Sequence, residues 1–275
     1  MKPARQPDLS SRLCPATGFT LIEMLVVIAI IGVLAGMMLP ALNRARARAD
    51  GIVCLGNLKQ LQVAWQAYTG DHNGRYPENH SELIGRMWRS SFHSWCGPSS
   101  APYDPDPRAL QLGTFGRYGY VASAEVYRCP GDDSSVQQRP GADGEVLRTR
   151  SYAMNGNFGG RSKDVQTVLW RESFQFSPSQ ICVFIDEADD SIDDGHFLVW
   201  PAPDDRWVNL PAGRHDRTGT LSFVDGHAEL WRWKWRKLFN RKESYWKRVE
   251  NAADRADLER LQQAALPKAD YQRQP

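Results

Sequence analysis

A long uncharged stretch near the amino terminus dominates the hydrophobic pattern of this chain. Residues 24–43 carry no charge, and Glu23 is the only ionisable residue between Phe19 and Leu39. A helix over residues 19–39 would span roughly 31 Å at about 1.5 Å per residue, which matches the hydrocarbon core of a bilayer. The pattern predicts a membrane-spanning helix with one acid near its start, and such a costly acid is by default a functional residue.

The apolar periodicity continues beyond Pro40, so we expect the helix to continue as well. Residues 69–71, Thr-Gly-Asp, resemble a helix end. The second half is amphipathic and predicts packing on a globular head. The spacing of three and four residues is set by Leu42, Ala45, Ala49, Ile52, Leu55, Leu58, Leu61, Trp65 and Tyr68.

The rest of the chain predicts short strands and long loops. Asp225-Gly226 lies between two strand-like segments and is a strong hairpin signal. We predict an α+β fold, in which a long N-terminal helix, half transmembrane and half amphipathic, packs on an antiparallel β-sheet head with long loops. For the segment 77–107 we predict an irregular surface excursion. For the segment 251–266 we predict a charged helix. The strand predictions cover residues 121–129, 151–156, 181–185, 196–200, 220–224 and 227–235.

The start of the apolar run carries a specific motif. Gly18 is followed by Phe19, with the acid Glu23 at the fifth position counted from Phe19 and Pro40 at the twenty-second. These residues resemble the type IV prepilins and type II secretion pseudopilins. The preceding segment is short and basic, with Lys2, Arg5 and Arg12.

That resemblance implies a function and a site. It implies cleavage after Gly18 by a prepilin peptidase, N-methylation of Phe19, and assembly with other pilin or pseudopilin subunits through the N-terminal helix, with Glu23 as the assembly residue. The implied place is the bacterial inner membrane, crossed once, with the C-terminal domain outside the cytoplasm, in the periplasm or at the cell surface. Charge alone does not orient the helix, because three bases precede it and three follow it.

The resemblance also gives a division of the chain. Residues 1–18 are the leader peptide and residues 19–40 the transmembrane and assembly helix. Residues 41–240 form a pilin-like globular domain, and residues 241–275 form a charged helix and tail. A secretory signal peptide and a plain membrane anchor are the alternatives. The run is too long for the first, and the second does not explain Glu23 beside Gly18-Phe19.

A second motif lies in the C-terminal half. His215, nine further residues and Asp225-Gly226-His227 resemble the His-x9-Asp-Gly pattern of prepilin-associated proteins. The pattern has no established chemistry. We expect a hydrogen bond from His215 to Asp225 across the hairpin end, with a transition-metal site at His215, Asp225 and His227 as the alternative. Together with Asp186 these residues also define the less favoured alternative of a membrane-anchored metal-dependent hydrolase.

Acidic residues cluster in the segment 186–194. Six acids in nine positions offer hard oxygen ligands, and calcium is the one cofactor candidate. A solvated acidic loop is the favoured alternative, because the spacing is not that of an EF-hand. The four ligand candidates for calcium are Asp186, Glu187, Asp193 and Asp194.

The cysteine count changes with processing. Of five cysteines, Cys14 lies in the leader, so four remain in the mature chain. An oxidising compartment permits disulfides, and four cysteines allow three pairings that the sequence does not distinguish. No CxxC pair is present, which argues against a zinc knuckle. The four are Cys54, Cys96, Cys129 and Cys182, the last in a predicted buried strand.

Basic and aromatic residues alternate in the segment 231–236, and the wider segment 231–250 is strongly basic. As a strand, the alternation places tryptophans on one face and bases on the other. Such a surface suits single-stranded nucleic acid, as in a minor pilin for DNA uptake or adhesion. The favoured interpretation is a sheet with a packed tryptophan face. The whole chain has a net charge of +2, which gives no global attraction to nucleic acid.

Overall fold

The computed structural model describes residues 20–84, 87–98, 106–137, 143–159, 177–236 and 247–265. Gly18 and Phe19, the leader, the cysteine Cys14 and the tail beyond residue 265 lie outside the described residues. The chain forms two units, Met1–Asn43 and Arg44–Pro275, and one helix, α1 (Leu21–Asp71), contributes to both.

The described elements comprise four α-helices, eleven strands and two short 3₁₀ helices, Ala124–Tyr127 and Pro178–Gln180. The other helices are α2 (Pro107–Leu112), α3 (Thr114–Arg117) and α4 (Ala252–Ala265). The strands are β1 (Ser81–Ile84), β2 (Met87–Ser90), β3 (Ser135–Gln137), β4 (Glu145–Leu147), β5 (Tyr152–Asn155), β6 (Cys182–Asp186), β7 (His196–Phe197), β8 (Arg206–Trp207), β9 (Thr218–Phe223), β10 (Ala228–Arg232) and β11 (Lys247–Arg248).

The predicted continuation of α1 past Pro40 is confirmed, and so is its end at Asp71. Pro40 lies inside the helix, where its missing N–H removes one backbone hydrogen bond without ending the helix. The second half is amphipathic as expected. Leu58, Leu61 and Trp65 are buried, whereas Val63 on the opposite side is exposed.

A five-stranded sheet forms the centre of the larger unit, in the order β10-β9-β6-β5-β7. Its pairs are antiparallel except for β5 and β7, which are parallel, so the predicted antiparallel sheet is in fact mixed at one edge. The predicted hairpin of β9 and β10 is confirmed. Gly226 adopts a φ of +98° in its turn, a conformation that glycine reaches without steric cost.

Side chains alternate between the two faces of this sheet and build two cores. On one face, Tyr152 and Phe184 share a buried cluster with Leu58 and Trp65 of α1. On the other face, a second cluster includes α4. Each large apolar side chain removed from water contributes about 1.5–3 kcal/mol. Members of the second cluster include Ala153, Ile185, Leu221, Trp231, Trp233, Leu258 and Leu261.

Three local predictions meet different outcomes. The C-terminal helix is confirmed as α4, and the side chain of Asn251 accepts hydrogen bonds from the N–H groups of Ala253 and Asp254, both at 3.0 Å. The strand predicted over 121–129 is wrong. A 3₁₀ helix forms there, because the Ser123 hydroxyl accepts from the Glu125 N–H and caps a turn. The region 77–107 is less irregular than predicted, since it contains the hairpin of β1 and β2.

Candidate functional site

The first turn of α1 holds the predicted assembly residue in a reciprocal cap. The backbone N–H and the hydroxyl of Thr20 donate to Glu23 Oε2 over 2.8 and 2.7 Å, and the Glu23 N–H donates to Thr20 Oγ1 over 3.3 Å. This is a capping box, in which the N-cap residue and the third helical residue satisfy each other's backbone groups. Glu23 therefore fixes where the helix begins. The Thr-x-x-Glu pattern is visible in the sequence, and the sequence analysis missed it.

The helical turns that follow Glu23 expose apolar side chains in all directions. Leu21 is 80% exposed, Ile28 64% and Met37 72%. Among the described residues, α1 is the one helix that is long and apolar enough to cross a membrane. A helix that is apolar on every side is stable when lipid or other helices surround it.

The His-x9-Asp-Gly motif is divided between the two ends of β9. His215 precedes the strand and is buried, whereas Asp225 and His227 lie at the solvent-exposed hairpin turn after it. Asp225 Oδ1 accepts from the N–H of His227 at 3.2 Å and lies 2.5 Å from His227 Nδ1. The predicted hydrogen bond from His215 to Asp225 is therefore wrong, and so is a shared metal site of His215, Asp225 and His227.

His215 instead lies in a buried group that we call the thiol–histidine cluster, formed by Cys54, Cys129, Asp186 and His215. Within the described part of the chain, each of the four offers a ligand atom that lies within 4.8 Å of the other three. His215 Nε2 is 3.1 Å from the sulfur of Cys129 and 3.8 Å from Asp186 Oδ2, which is 3.8 Å from the sulfur of Cys54. The cluster contains the histidine of the motif but neither of its other side chains.

Contacts within the cluster and burial change the pKa values of His215 and Cys129. Burial opposes protonation of His215, but its contacts with Cys129 and Asp186 outweigh this and raise its pKa. The hydrogen bond with Cys54, together with burial, raises the pKa of the Cys129 thiol. Arg214 compensates the negative charges of Asp186 and Asp132. Its guanidinium lies 2.5 Å from Asp186 Oδ1 and 3.3 Å from a carboxylate oxygen of Asp132.

Two glycines make room for the imidazole. A β-carbon at Gly51 on α1 would lie 3.2 Å from Cβ and Cγ of His215, and one at Gly131 would lie 3.1 Å from Cε1. Both distances are closer than comfortable carbon–carbon contact. Gly51 weakens the helix locally and, in return, permits this close approach of His215.

The four cysteines in the described part of the chain, Cys54, Cys96, Cys129 and Cys182, are all buried. The prediction that Cys182 is a core thiol is confirmed, because it lies in the second hydrophobic cluster. Cys54 and Cys129 belong to the thiol–histidine cluster. The sequence analysis did not group them with Asp186 and His215, because the four positions are far apart in the sequence and form no local motif.

The four acids predicted as one calcium site lie in two environments. Asp186 belongs to the thiol–histidine cluster, whereas Glu187, Asp193 and Asp194 influence one another electrostatically near the buried Arg150. Burial raises the pKa of Glu187 to about 7, even though Arg150 and the donors Ser191 and Asn209 oppose the rise. Calcium binding by the other three acids stays a prediction.

The packed tryptophan face that we favoured for the basic segment is present at two of its three tryptophans, because Trp235 is 37% exposed. Trp231 and Trp233 are buried, and Arg260 of α4 lies 3.6 Å from the centre of the Trp231 ring. Neither tryptophan is available to stack on a nucleic-acid base. Arg232 and Lys234 are exposed, and residues 237–246 lie outside the described part of the chain.

The sequence matches a family model described as the prokaryotic N-terminal methylation motif over residues 15–39. This identifies a class of proteins whose amino terminus is processed and methylated, which agrees with a helix that begins just after Gly18-Phe19. The matched segment contains both the described start of α1 and the Glu23 cap.

Curated relatives narrow the class. The chain is 41% identical over 111 residues to the type II secretion system core protein G of Klebsiella pneumoniae. This alignment covers 38% of this chain and 79% of that protein. The corresponding protein of Vibrio cholerae is 28% identical over 151 residues, 52% of this chain and 91% of its own length. The type IV wide pilus major component PilA4 of Thermus thermophilus is 44% identical over 76 residues, 28% of this chain and 57% of that protein.

The chain belongs to the family of type IV pilins and type II secretion pseudopilins. It spans little more than half the length of the Thermus pilin. No solved structure gives a significant match. The predicted family and α+β class are confirmed, and the exposed apolar helix fits anchoring in a membrane.

Proposed function

We propose that this protein is a pseudopilin-like structural subunit of a type II secretion or type IV pilus-like apparatus, assembled through its N-terminal helix. One observation carries the proposal. An exposed apolar helix begins with a capped Glu23 directly after Gly18-Phe19, inside the segment that matches the methylation motif. The relatives named as a pilus component and as core protein G support the same function.

The proposal includes a processing step and a location. A prepilin peptidase cleaves after Gly18 and the new amine of Phe19 is methylated. The helix then lies in the bacterial inner membrane, with the C-terminal domain outside the cytoplasm. The apolar surface of residues 21–39 supports this placement, because it is the length of a bilayer core and includes one acid.

Glu23 has two separable roles in this proposal. Its side chain caps α1 in the single chain, and its charge pairs with the Phe19 amine of an adjacent subunit in the assembly. The pairing offsets the cost of an acid inside the membrane and sets the register between subunits. The capping box gives a way to separate the roles, because glutamine also accepts at the third helical position.

A structural role also fits the head better than the hydrolase alternative. That alternative needs His215 and Asp186 to act with Asp225 and His227 on one metal. The structure places the first two inside the core and the second two at the exposed hairpin turn. The residues of the proposed catalytic set therefore do not share a site.

The test compares full-length variants in the native host. Glu23→Gln should keep the helix start and still insert in the membrane. It should be missing from filaments sheared off the cells and from crosslinked subunits. The matched control Glu125→Gln makes the same change at an exposed acid of the head and should assemble normally. Normal assembly of Glu23→Gln would show that the charge has no part in pairing.

Processing is measured on the same material. Mass spectrometry of the wild type should find N-methylated Phe19 as the first residue, and Gly18→Val should accumulate the uncleaved precursor, because a branched side chain does not fit where a small residue is required. An amino terminus beyond Ala35 would instead identify an ordinary cleaved signal peptide.

A further inference from the structure

The four members of the thiol–histidine cluster come from four separate segments. Cys54 lies on α1 and Asp186 ends β6, while Cys129 and His215 lie in the loops after the first 3₁₀ helix and before β9. Cys54, Cys129 and Asp186 are fully buried, and His215 is 3% exposed. Two sulfurs, one imidazole nitrogen and one carboxylate oxygen thus converge in the core, away from the protein surface.

The distances fit a tetrahedral ion. Zinc binds thiolate sulfur at about 2.3 Å and nitrogen or oxygen at about 2.0–2.2 Å, so the edges of its ligand tetrahedron measure about 3.3–3.8 Å. The three measured edges of the cluster are 3.1, 3.8 and 3.8 Å. Each lies within about 0.5 Å of the ideal range, and the other three edges are no longer than 4.8 Å, so the side chains need only rotate to bring the four atoms onto one ion.

Surrounding groups orient the ligand atoms. His215 Nδ1 lies 3.0 Å from the carbonyl oxygen of Ala47, so its N–H donates there and Nε2 presents its lone pair to the cluster. Arg214 occupies Asp186 Oδ1 and leaves Oδ2 facing the sulfurs. Such outer contacts are typical of metal ligands, whose second nitrogen or oxygen is normally held by a hydrogen bond.

Two hydroxyl groups contact the sulfur of Cys54. Its sulfur lies 3.0 Å from the hydroxyl oxygen of Thr220 and accepts from the hydroxyl of Tyr152 at 3.2 Å. These two contacts fix the position of the sulfur beside the other three ligand atoms. Loss of one proton from each thiol offsets the two positive charges of the incoming ion.

We propose that the thiol–histidine cluster binds one Zn²⁺ ion and fastens α1 to the sheet. The four protein ligands complete the coordination and leave no position for a substrate, so the site is structural rather than catalytic. Binding through Nε2 needs neutral His215, so it releases the two thiol protons and the Nε2 proton of any imidazolium, with no change in oxidation state. A surface cleft of 260 Å³ has Arg214 in its lining, and Arg214 contacts Asp186.

The test uses the full-length protein, purified in detergent from membranes of zinc-supplemented cells. Elemental analysis should find one zinc per chain in the wild type and lose it in Cys54→Ser and in Cys129→Ser. Cys182→Ser is the matched control, since it removes an equally buried thiol outside the cluster and should keep its zinc. A chelator should lower the unfolding temperature of the wild type and of Cys182→Ser, and added Zn²⁺ should restore it.

A second measurement keeps the test decisive if the cluster variants do not fold. Wild-type protein reloaded with Co²⁺ should show the visible bands of a tetrahedral ion and a thiolate charge-transfer band. Absence of zinc from the native protein, together with failure to take up Zn²⁺ or Co²⁺ after reduction, would overturn the proposal. So would a Cys54–Cys129 disulfide found in unreduced peptides, or zinc content unchanged in both cluster variants.

Discussion

Two glycines of α1 offer a measurement of how tightly the helix is fitted to His215. Gly51 and Gly56 are both interior helical positions, but their surroundings differ. A β-carbon at Gly56 would meet no atom within 4 Å, whereas one at Gly51 would lie 3.2 Å from Cβ and Cγ of His215. Replacing each by alanine therefore applies the same helix-propensity change with and without a steric contact.

The two substitutions should change the free energy of unfolding in opposite directions. Gly56→Ala should raise the free energy of unfolding by about 1 kcal/mol, the propensity difference between the two residues in a helix. Gly51→Ala gains the same amount but overpacks the core, since His215 also lies against Cys129 and a β-carbon at Gly131 would lie 3.1 Å from its Cε1. Overpacking costs typically about 1–3 kcal/mol, so the net change at Gly51 is a loss of up to about 2 kcal/mol.

Denaturant unfolding in detergent, followed by tryptophan fluorescence, measures this difference directly. All ten tryptophans lie at position 65 or beyond, so the signal reports the larger unit rather than the apolar half of α1. The two variants should be separated by about 1–3 kcal/mol. If Gly51→Ala proves as stabilising as Gly56→Ala, the close packing of α1 on His215 is refuted.

Two further changes test the hairpin turn and the acidic loop. Gly226→Ala should cost about 1–2 kcal/mol of stability, since it forces alanine to a φ of +98° and places its β-carbon 3.0 Å from the Gln66 amide, whereas Gly70→Ala, which meets open space, should not. Burial and the Asp194 carboxylate raise the pKa of Asp193, so its stabilising contribution is complete below about pH 3.9 and is lost as the pH rises through its folded-state pKa. In EDTA, Asp193→Asn should therefore raise the unfolding temperature at pH 7 and leave it unchanged at pH 3; a calcium site would make the same variant less stable in calcium buffer.

The elements that the sequence predicts well are those determined by neighbouring residues. The period of α1, the Asp225-Gly226 turn and the cap of α4 are local signals, and all three appear in the structure. The parallel pairing of β7 with β5 is not local, since it joins segments some forty residues apart. The segment 121–129 has the composition of a strand, but the Ser123 hydroxyl competes for the backbone and favours a 3₁₀ turn.

The residues of the candidate site are also predictable only where neighbouring positions form the signal. The methylation motif and Glu23 form a continuous pattern, so the sequence identifies them directly. The thiol–histidine cluster has no such pattern, because α1, β6 and two loops each contribute one residue. His215 was singled out from its motif, but its partners depend on how β9 lies against α1, and that arrangement follows only from the tertiary fold.

Contacts between α1 and β9 give the His-x9-Asp-Gly spacing a physical meaning. His215 contacts Ala47, Ser222 donates to Gln62, and Gln66 donates to the carbonyl of Val224. β9 itself runs from Thr218 to Phe223, and His215 lies in the turn before it, where Asp216 and Arg217 adopt positive φ. The motif therefore spans a turn and one strand, and contacts with α1 lie at both ends.

The turn at Asp225-Gly226 then reverses the chain where that strand has reached its last contact on α1. A β-carbon at Gly226 would lie 3.0 Å from the Gln66 amide, and His215 connects the other end to Ala47 and Cys129. A slip of β9 by one residue would turn Ser222 and Thr220 away from α1 and expose the opposite face of the strand to it. The motif is therefore best understood as a device that sets the register between the assembly helix and the sheet, with His215 and Gly226 marking its two ends.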